Sequence, residues 1–219
     1  MDINKVKFKI TITSILVLIL CITNTKLYSQ IKAITEYGDN VILFENGSWQ
    51  YTNESLNSNK IIKGNLKSYY KPYSSSFLLK SKKAKIGIWV DNKEWEIERE
   101  TLNGDAEFEF KYKHGDLFAM AIIEEIEIPL ESLGDIAYEY LLSTDPGAII
   151  VEKEYRNVNG LKVLLMKMEA SIKGVDFAYK GYYYSDQSGT IQLITVTSSN
   201  LMDKYTSTAE KFLNGISTY

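Results

Sequence analysis

The 219-residue chain has one cysteine, one histidine, two arginines and three prolines. Cys21 lies inside an N-terminal apolar run. The rest of the chain therefore has no thiol for a disulfide, a thiolate nucleophile or a cysteine-ligated metal. His114, the sole histidine, sits in the polar turn Lys113-His114-Gly115-Asp116 and reads as an exposed turn residue. A histidine-based triad lacks a cysteine partner, and no Gly-x-Ser-x-Gly elbow occurs. A zinc site needs two or three His or Cys ligands, so no metal is expected. Arg99 and Arg156 are too few for an arginine phosphate clamp. Neither a Walker loop nor a dinucleotide fingerprint is present, and no cofactor is expected. Long apolar runs are also missing. Residues 10–22 are apolar but broken by Thr11, Thr13 and Ser14, which is short of the roughly 20 residues a membrane span needs.

What is present at the N-terminus reads as an export signal. Lys5, Lys7 and Lys9 precede the apolar run, and the small residue Ser29 stands before Gln30 at a cleavage position. The Tyr28-Ser29-Gln30 ending resembles signal peptides of the Bacteroidetes group. An uncleaved N-terminal anchor is the alternative. Leu20 stands before Cys21 where a lipoprotein signal has a small residue, so Cys21 reads as a passive apolar side chain. Cleavage would leave about 190 residues, the size of one medium domain or a domain with an appendage. It would also remove Lys5, Lys7, Lys9, Lys26 and Asp2, taking the net charge from −3 to about −6. That balance argues against nucleic acid and anionic membrane as partners. The expected localisation is periplasmic or extracellular, without a membrane span after cleavage.

Residues 30–53 read as a small β-meander. Its strongest signal is Asn46-Gly47, because both central positions of a type I′ turn need positive φ. Residues 54–70, rich in Ser, Asn and Lys, read as a linker. Residues 71–219 read as the main domain. Residues 86–90 are a strand. In residues 106–112, Phe108, Phe110 and Tyr112 alternate with Glu107, Glu109 and Lys111, the period-2 pattern of a half-solvated strand. Residues 117–128 continue as a long apolar strand, and Pro129 opens a helix. Leu130, Leu133, Ile136, Ala137, Tyr140 and Leu141 form that helix's apolar stripe.

From Arg156 to Ile216 the chain reads as antiparallel strands closed by a helix. Turns fall at Asn157-Val158-Asn159-Gly160, Lys173-Gly174 and Asp186-Gln187-Ser188-Gly189. Asn200 is the expected N-cap of the last helix, with Leu201, Tyr205, Thr208 and Phe212 on its buried stripe. Asn214-Gly215 is the expected C-cap. The predicted fold class is α+β, an antiparallel sheet with helices packed on it.

Several groups qualify as candidate sites. Lys180, Tyr182, Tyr183 and Tyr184 form the densest aromatic cluster. An exposed set could bind sugar, peptide or protein; packing within the sheet is the alternative. Glu124 shares parity with Met120, Ile122, Ile126 and Ile128 and should point to a helix-covered face. A buried glutamate needs a partner, and Arg156 or Arg99 could supply a structural ion pair. The many other carboxylates, such as Glu96, Glu98, Glu107 and Glu109, follow strand alternation, although pairs of them could in principle run acid–base chemistry or hold Ca²⁺.

Four features together resemble the PsbP-like group, which includes PsbP proteins, Mog-type Ran-binding proteins and DcrB-type envelope proteins. They are the Gly87-Ile88-Trp89 strand, the Arg156-x-x-Asn159-Gly160 turn, the strand of residues 177–184 and the final strand leading into residues 205–215. The resemblance covers residues 72–216. It implies an α/β/α sandwich and a non-enzymatic binding or accessory role. Residues 38–51 resemble an N-terminal hairpin motif of exported Bacteroidetes proteins. The leading expectation is an exported, non-catalytic binding or accessory protein with an envelope protein or small ligand as partner. A periplasmic carrier of a small apolar ligand between sheet and helices is the alternative. A carboxylate-dependent hydrolase is a third reading.

Overall fold

The computed structural model describes residues 30–34, 40–44, 49–51, 62–99, 101 and 103–219. The expected signal peptide, with Ser29, lies outside them. Among the described residues the chain is mostly sheet with two helices, an α+β fold. Strands β1 (Gln30–Ile34), β2 (Asn40–Phe44) and β3 (Trp49–Tyr51) form a three-stranded antiparallel sheet.

The large sheet has eight strands. In chain order they are β4 (Lys63–Tyr69), β7 (Trp95–Ile97), β8 (Ala106–Tyr112), β9 (Phe118–Glu124), β10 (Ile149–Val158), β11 (Leu161–Ile172), β12 (Val175–Asp186) and β13 (Gly189–Ser198). In space they run β4-β10-β11-β12-β13-β9-β8-β7. A second small sheet has the order β14-β6-β5, from β5 (Phe77–Lys80), β6 (Ile86–Val90) and β14 (Ile216–Thr218).

Two corrections follow. The sheet is mixed rather than purely antiparallel, because β4 runs parallel to β10. The same strand removes residues 63–69 from the expected linker of residues 54–70. β4 has few apolar residues and is largely exposed, so it carries none of the hydrophobic pattern that marks a strand. It joins the sheet through main-chain pairing with a strand far along the chain.

The hairpins β10–β11 and β11–β12 turn through two residues each. Asn159 and Gly160 have φ of 53° and 86°, and Lys173 and Gly174 have φ of 53° and 80°. Both central positions are left-handed, as a type I′ turn requires. The Asn159 side chain also gathers distant chain. Its Oδ1 accepts from Lys71 N–H at 2.9 Å, and its Nδ2 donates to the carbonyls of Asn214 at 2.8 Å and Ile216 at 2.7 Å.

Helices α1 (Leu130–Thr144) and α2 (Met202–Leu213) lie on opposite faces of the large sheet. On the α2 face, Tyr205, Ala209, Phe212 and Leu213 pack with Ile86, Ile88, Val90 and Ile216 of the small sheet and with Val163, Leu165, Tyr182 and Leu193 of the large one. Rings interlock there: Phe212 is 4.3 Å from Trp95 and 4.9 Å from Phe110, centroid to centroid. On the α1 face, Leu133, Ala137 and Leu141 pack on Leu164, Met166, Met168 and Tyr183.

The α1 stripe is rotated from the expected one. Ser132, Leu133, Gly134, Ala137 and Leu141 are buried, whereas Ile136 and Tyr140 are exposed. Gly134 explains the rotation. A Cβ there would come within 2.7 Å of Leu164 Cδ2 and 2.8 Å of Met166 Sδ, so the helix approaches the sheet along its glycine. Asn200 does not cap α2; it lies in a 3₁₀ turn, Ser199–Leu201, that leads into the helix. β9 ends at Glu124, short of the expected residue 128.

Candidate functional site

Strand alternation distributes the tyrosine cluster between the two faces of β12. Lys180 and Tyr182 point to the α2 face and Tyr183 to the α1 face. Tyr182 and Tyr183 are fully buried and Lys180 is only 4% exposed, so these three do not form a surface for a partner. Covering elements far away in sequence, α2 and the β14-β6-β5 sheet on one side and α1 on the other, account for the difference from an exposed set. Tyr184 is partly buried and donates its hydroxyl to Asp186 at 3.0 Å. Burial, followed by that acidic partner, pushes its pKa up to about 12.

Arg156 and Lys180 belong to one charge network beneath α2. Arg156 donates from Nε to Glu154 at 2.5 Å, and from Nη1 to Tyr182 and to Glu210, both at 3.2 Å. Lys180 donates to the same Glu210 oxygen at 2.6 Å. Tyr182 donates to Asn214 Oδ1 at 3.0 Å, Asn65 donates to Glu154 at 3.1 Å, and the guanidinium lies 4.6 Å from the Tyr69 ring centroid. Burial disfavours the Arg156 charge, but its bonds to Glu154, Tyr182 and Glu210 outweigh that and raise its pKa. Burial likewise opposes the Glu154 and Glu210 charges, yet hydrogen bonds from Arg156 and Asn65 to Glu154, and from Lys180 and Arg156 to Glu210, hold both below the ordinary carboxylate value. Two cations meet three carboxylates, because Arg156 Nη2 also lies 3.6 Å from the partly exposed Glu152. Such a network fastens α2 to β10 and β12.

The expected Glu124–Arg156 ion pair does not form. Glu124 is on the α1 side, where it lines a cavity, and Arg156 is on the α2 side, bonded to Tyr182 and Glu210. Parity placed Glu124 correctly toward the α1 side, but α1 does not extend over the end of β9, so the carboxylate is exposed. Arg99 is exposed as well. His114 is exposed, 4.0 Å from Glu94 and edge-on to Tyr112. Glu107 and Glu109 hold loops: Glu107 accepts from Ser81 Oγ at 2.6 Å and Lys82 N–H at 2.8 Å, and Glu109 from Asn103 N–H at 2.8 Å.

A ligand-sized space lies on the α1 face. A cavity of about 440 Å³ opens between α1 and the strands β9, β11, β12 and β13. Ile136, Ala137, Tyr140 and Leu141 wall it from the helix, and Met120, Ile122, Met168, Tyr179, Tyr183 and Ile194 from the sheet. Asn103, Asp105, Glu124 and Gln192 are the polar members at the β8–β9 side. The Tyr183 hydroxyl is buried without a hydrogen-bond partner. Its pKa is raised by burial. A second, more polar hollow of about 320 Å³ lies by Trp89, Asp91, Glu94 and Tyr112. Sequence patterning could mark Met120, Ile122 and Tyr183 as facing one side. It could not show that α1 leaves the β9–β13 half of that side uncovered.

No family model and no curated protein matches the chain. Among solved structures it is similar to cyanobacterial PsbP (CyanoP) from Synechocystis sp. PCC 6803, with 14% identity over 68% of this chain and 95% of that one, and a TM-score of 0.49. It is also similar to LpqN of Mycobacterium tuberculosis, described as involved in cell envelope biogenesis, with 15% identity over 78% of this chain and 99% of that one, and a TM-score of 0.46. A third likeness is to a protein from Bacteroides thetaiotaomicron VPI-5482, with 11% identity over 66% of this chain and 49% of that one, and a TM-score of 0.41. These are likenesses of architecture at low identity, and no role is carried from them to this chain. They do not bear on the Mog- or DcrB-type part of the resemblance, or on the N-terminal hairpin motif. No helix among the described residues is long and apolar enough to cross a membrane.

Proposed function

We propose that this chain is an exported, non-catalytic binding protein that holds a small apolar ligand between α1 and the large sheet. The observation that supports this reading is the cavity under α1. Its volume of about 440 Å³ falls in the range of small-molecule sites, and its wall is mainly apolar with a few polar groups at one side. Arg156, Lys180, Glu154, Glu210 and Glu107 are engaged in structural bonds, which favours binding over reaction at those positions.

The test uses the purified full-length chain and N-phenyl-1-naphthylamine, a neutral dye that brightens in apolar surroundings. Saturable brightening is expected. Ile122→Trp, at a half-buried wall position, should abolish it while leaving the thermal transition in place. Brightening that persists in both Ile122→Trp and Met120→Trp would place the dye elsewhere and refute the cavity reading. Native mass spectrometry of protein recovered from the cell that makes it should show a co-purifying small mass. The mass of that recovered chain also tests export, since cleavage after Ser29 leaves Gln30 first.

A further inference from the structure

We infer that the ligand of the α1 cavity is an amphiphile with a cationic head, an inference that rests on the cavity being a ligand site. Two charged residues belong to its wall, Asp105 and Glu124, and both are acidic and exposed. They come to the same end of the β8–β9 hairpin. Ala106 pairs with Ile122, so the residue before Ala106 and the residue two beyond Ile122 are near neighbours. Neither is ion-paired with a described residue. Among the described residues, no lysine or arginine lines the cavity.

The rim is also held in place. Asn103 donates its N–H to Glu109 at 2.8 Å, and its Oδ1 accepts from the Asp105 N–H at 3.0 Å, which fixes the backbone that carries the Asp105 carboxylate. The fully buried Tyr183 hydroxyl presents no surface to the cavity, so polar recognition of the head falls to the rim. An apolar body would fill the space beside Met120, Ile122 and Ile194, with its head between the two carboxylates. A negative rim draws an ammonium and repels a carboxylate, more strongly beside a low-dielectric wall than in open water.

Displacement of bound N-phenyl-1-naphthylamine by three amphiphiles of equal chain length tests this. Dodecyltrimethylammonium, dodecanol and dodecanoate are each used below the concentration at which they form micelles. Two partly solvated carboxylates predict that the ammonium displaces the dye at a concentration about tenfold below that of dodecanoate, with dodecanol between. The double variant Asp105→Asn, Glu124→Gln should bring the three together, and Asp105→Lys, Glu124→Lys should reverse the order. All four substitutions are at exposed positions and leave the core intact. Equal displacement by ammonium and carboxylate, or an order unchanged in the neutral double variant, overturns the cationic preference and leaves the apolar-ligand reading standing. Absence of dye binding overturns both.

Discussion

The two faces of the large sheet are finished differently. On one, α2 and the β14-β6-β5 sheet close over the strands, and a charge network centred on Arg156 and Glu210 fastens the helix down. On the other, α1 packs on β11 and β12 and leaves β9 and part of β13 partly uncovered. One strand records both conditions. In β9, Ala119, Ala121 and Ile123 are buried on the α2 face, while Phe118, Met120, Ile122 and Glu124 are half-exposed or exposed on the other. The closed face supplies most of the interlocking contacts that favour folding. The open face retains room that folding does not use.

The contrast can be broken at several points. The largest effect should come from Arg156→Leu, which leaves Glu154 without its cation and Glu210 with Lys180 alone beneath α2. A loss of about 3 kcal/mol in urea unfolding is expected, and a loss under about 1 kcal/mol would show the network to be incidental. Next are two glycines. Gly215→Ala would drive a Cβ into the Trp89 carbonyl, a main-chain atom that cannot step aside. Gly134→Ala would meet only the ends of Leu164 and Met166, and alanine favours a helix. The first should cost about 2 kcal/mol and the second under about 1 kcal/mol. Equal costs would mean that the two faces are packed alike.

Adjacent tyrosines offer a finer comparison. Tyr182→Phe removes a hydroxyl bonded to Arg156 and Asn214, and should destabilise by about 1.5 kcal/mol. Tyr183→Phe removes an unmet hydroxyl and should stabilise by about 1 kcal/mol. The same sign for both would contradict the assignment of the two side chains to different environments. The smallest effect is in acid. Glu154 and Glu210 titrate below the ordinary 4.5 when folded. As pH falls, the unfolded chain takes up these protons first. Their contribution is therefore full at neutral pH and is lost as pH drops through the folded values. The acid limb of a stability–pH curve should be shallower in Arg156→Leu than in the unaltered chain; a superimposable limb would locate the acid sensitivity elsewhere.

Local chemistry was legible in the sequence where it decides structure by itself. Asn159-Gly160 and Lys173-Gly174 place the turns, and the Phe108/Glu107 alternation places β8. Parity puts Tyr182 and Tyr183 on opposite faces, yet both are buried, and the pairing expected of Arg156 with Glu124 is made instead with Glu154 and Glu210. What covers each face was not legible. Tyr182 is buried because α2 and β14, from the far end of the chain, arrive over it. Glu124 is exposed because α1 stops short of it. β4 escaped notice because an edge strand held by main-chain pairing needs no apolar pattern. A space between sheet and helix was conceivable from the sequence, but its place depended on how Gly134 seats α1, which strand patterning does not encode.

The Asn159 side chain has a consequence for how the molecule ages. An asparagine before glycine is the pair in which a side-chain amide is most readily lost, by attack of the following peptide nitrogen. Here the departing nitrogen is tied to the carbonyls of Asn214 and Ile216, and the attacking Gly160 N–H is donated to Asn157 Oδ1 at 3.2 Å. The fold thus shields the amide for as long as the turn stays closed. Once it opens, the amide can become a carboxylate that would face two carbonyl oxygens, and the chain can no longer draw residues 214–216 back to the hairpin. Each excursion from the folded state then carries some molecules past the point of return, so damage at Asn159 accumulates at a rate set by how often this turn opens.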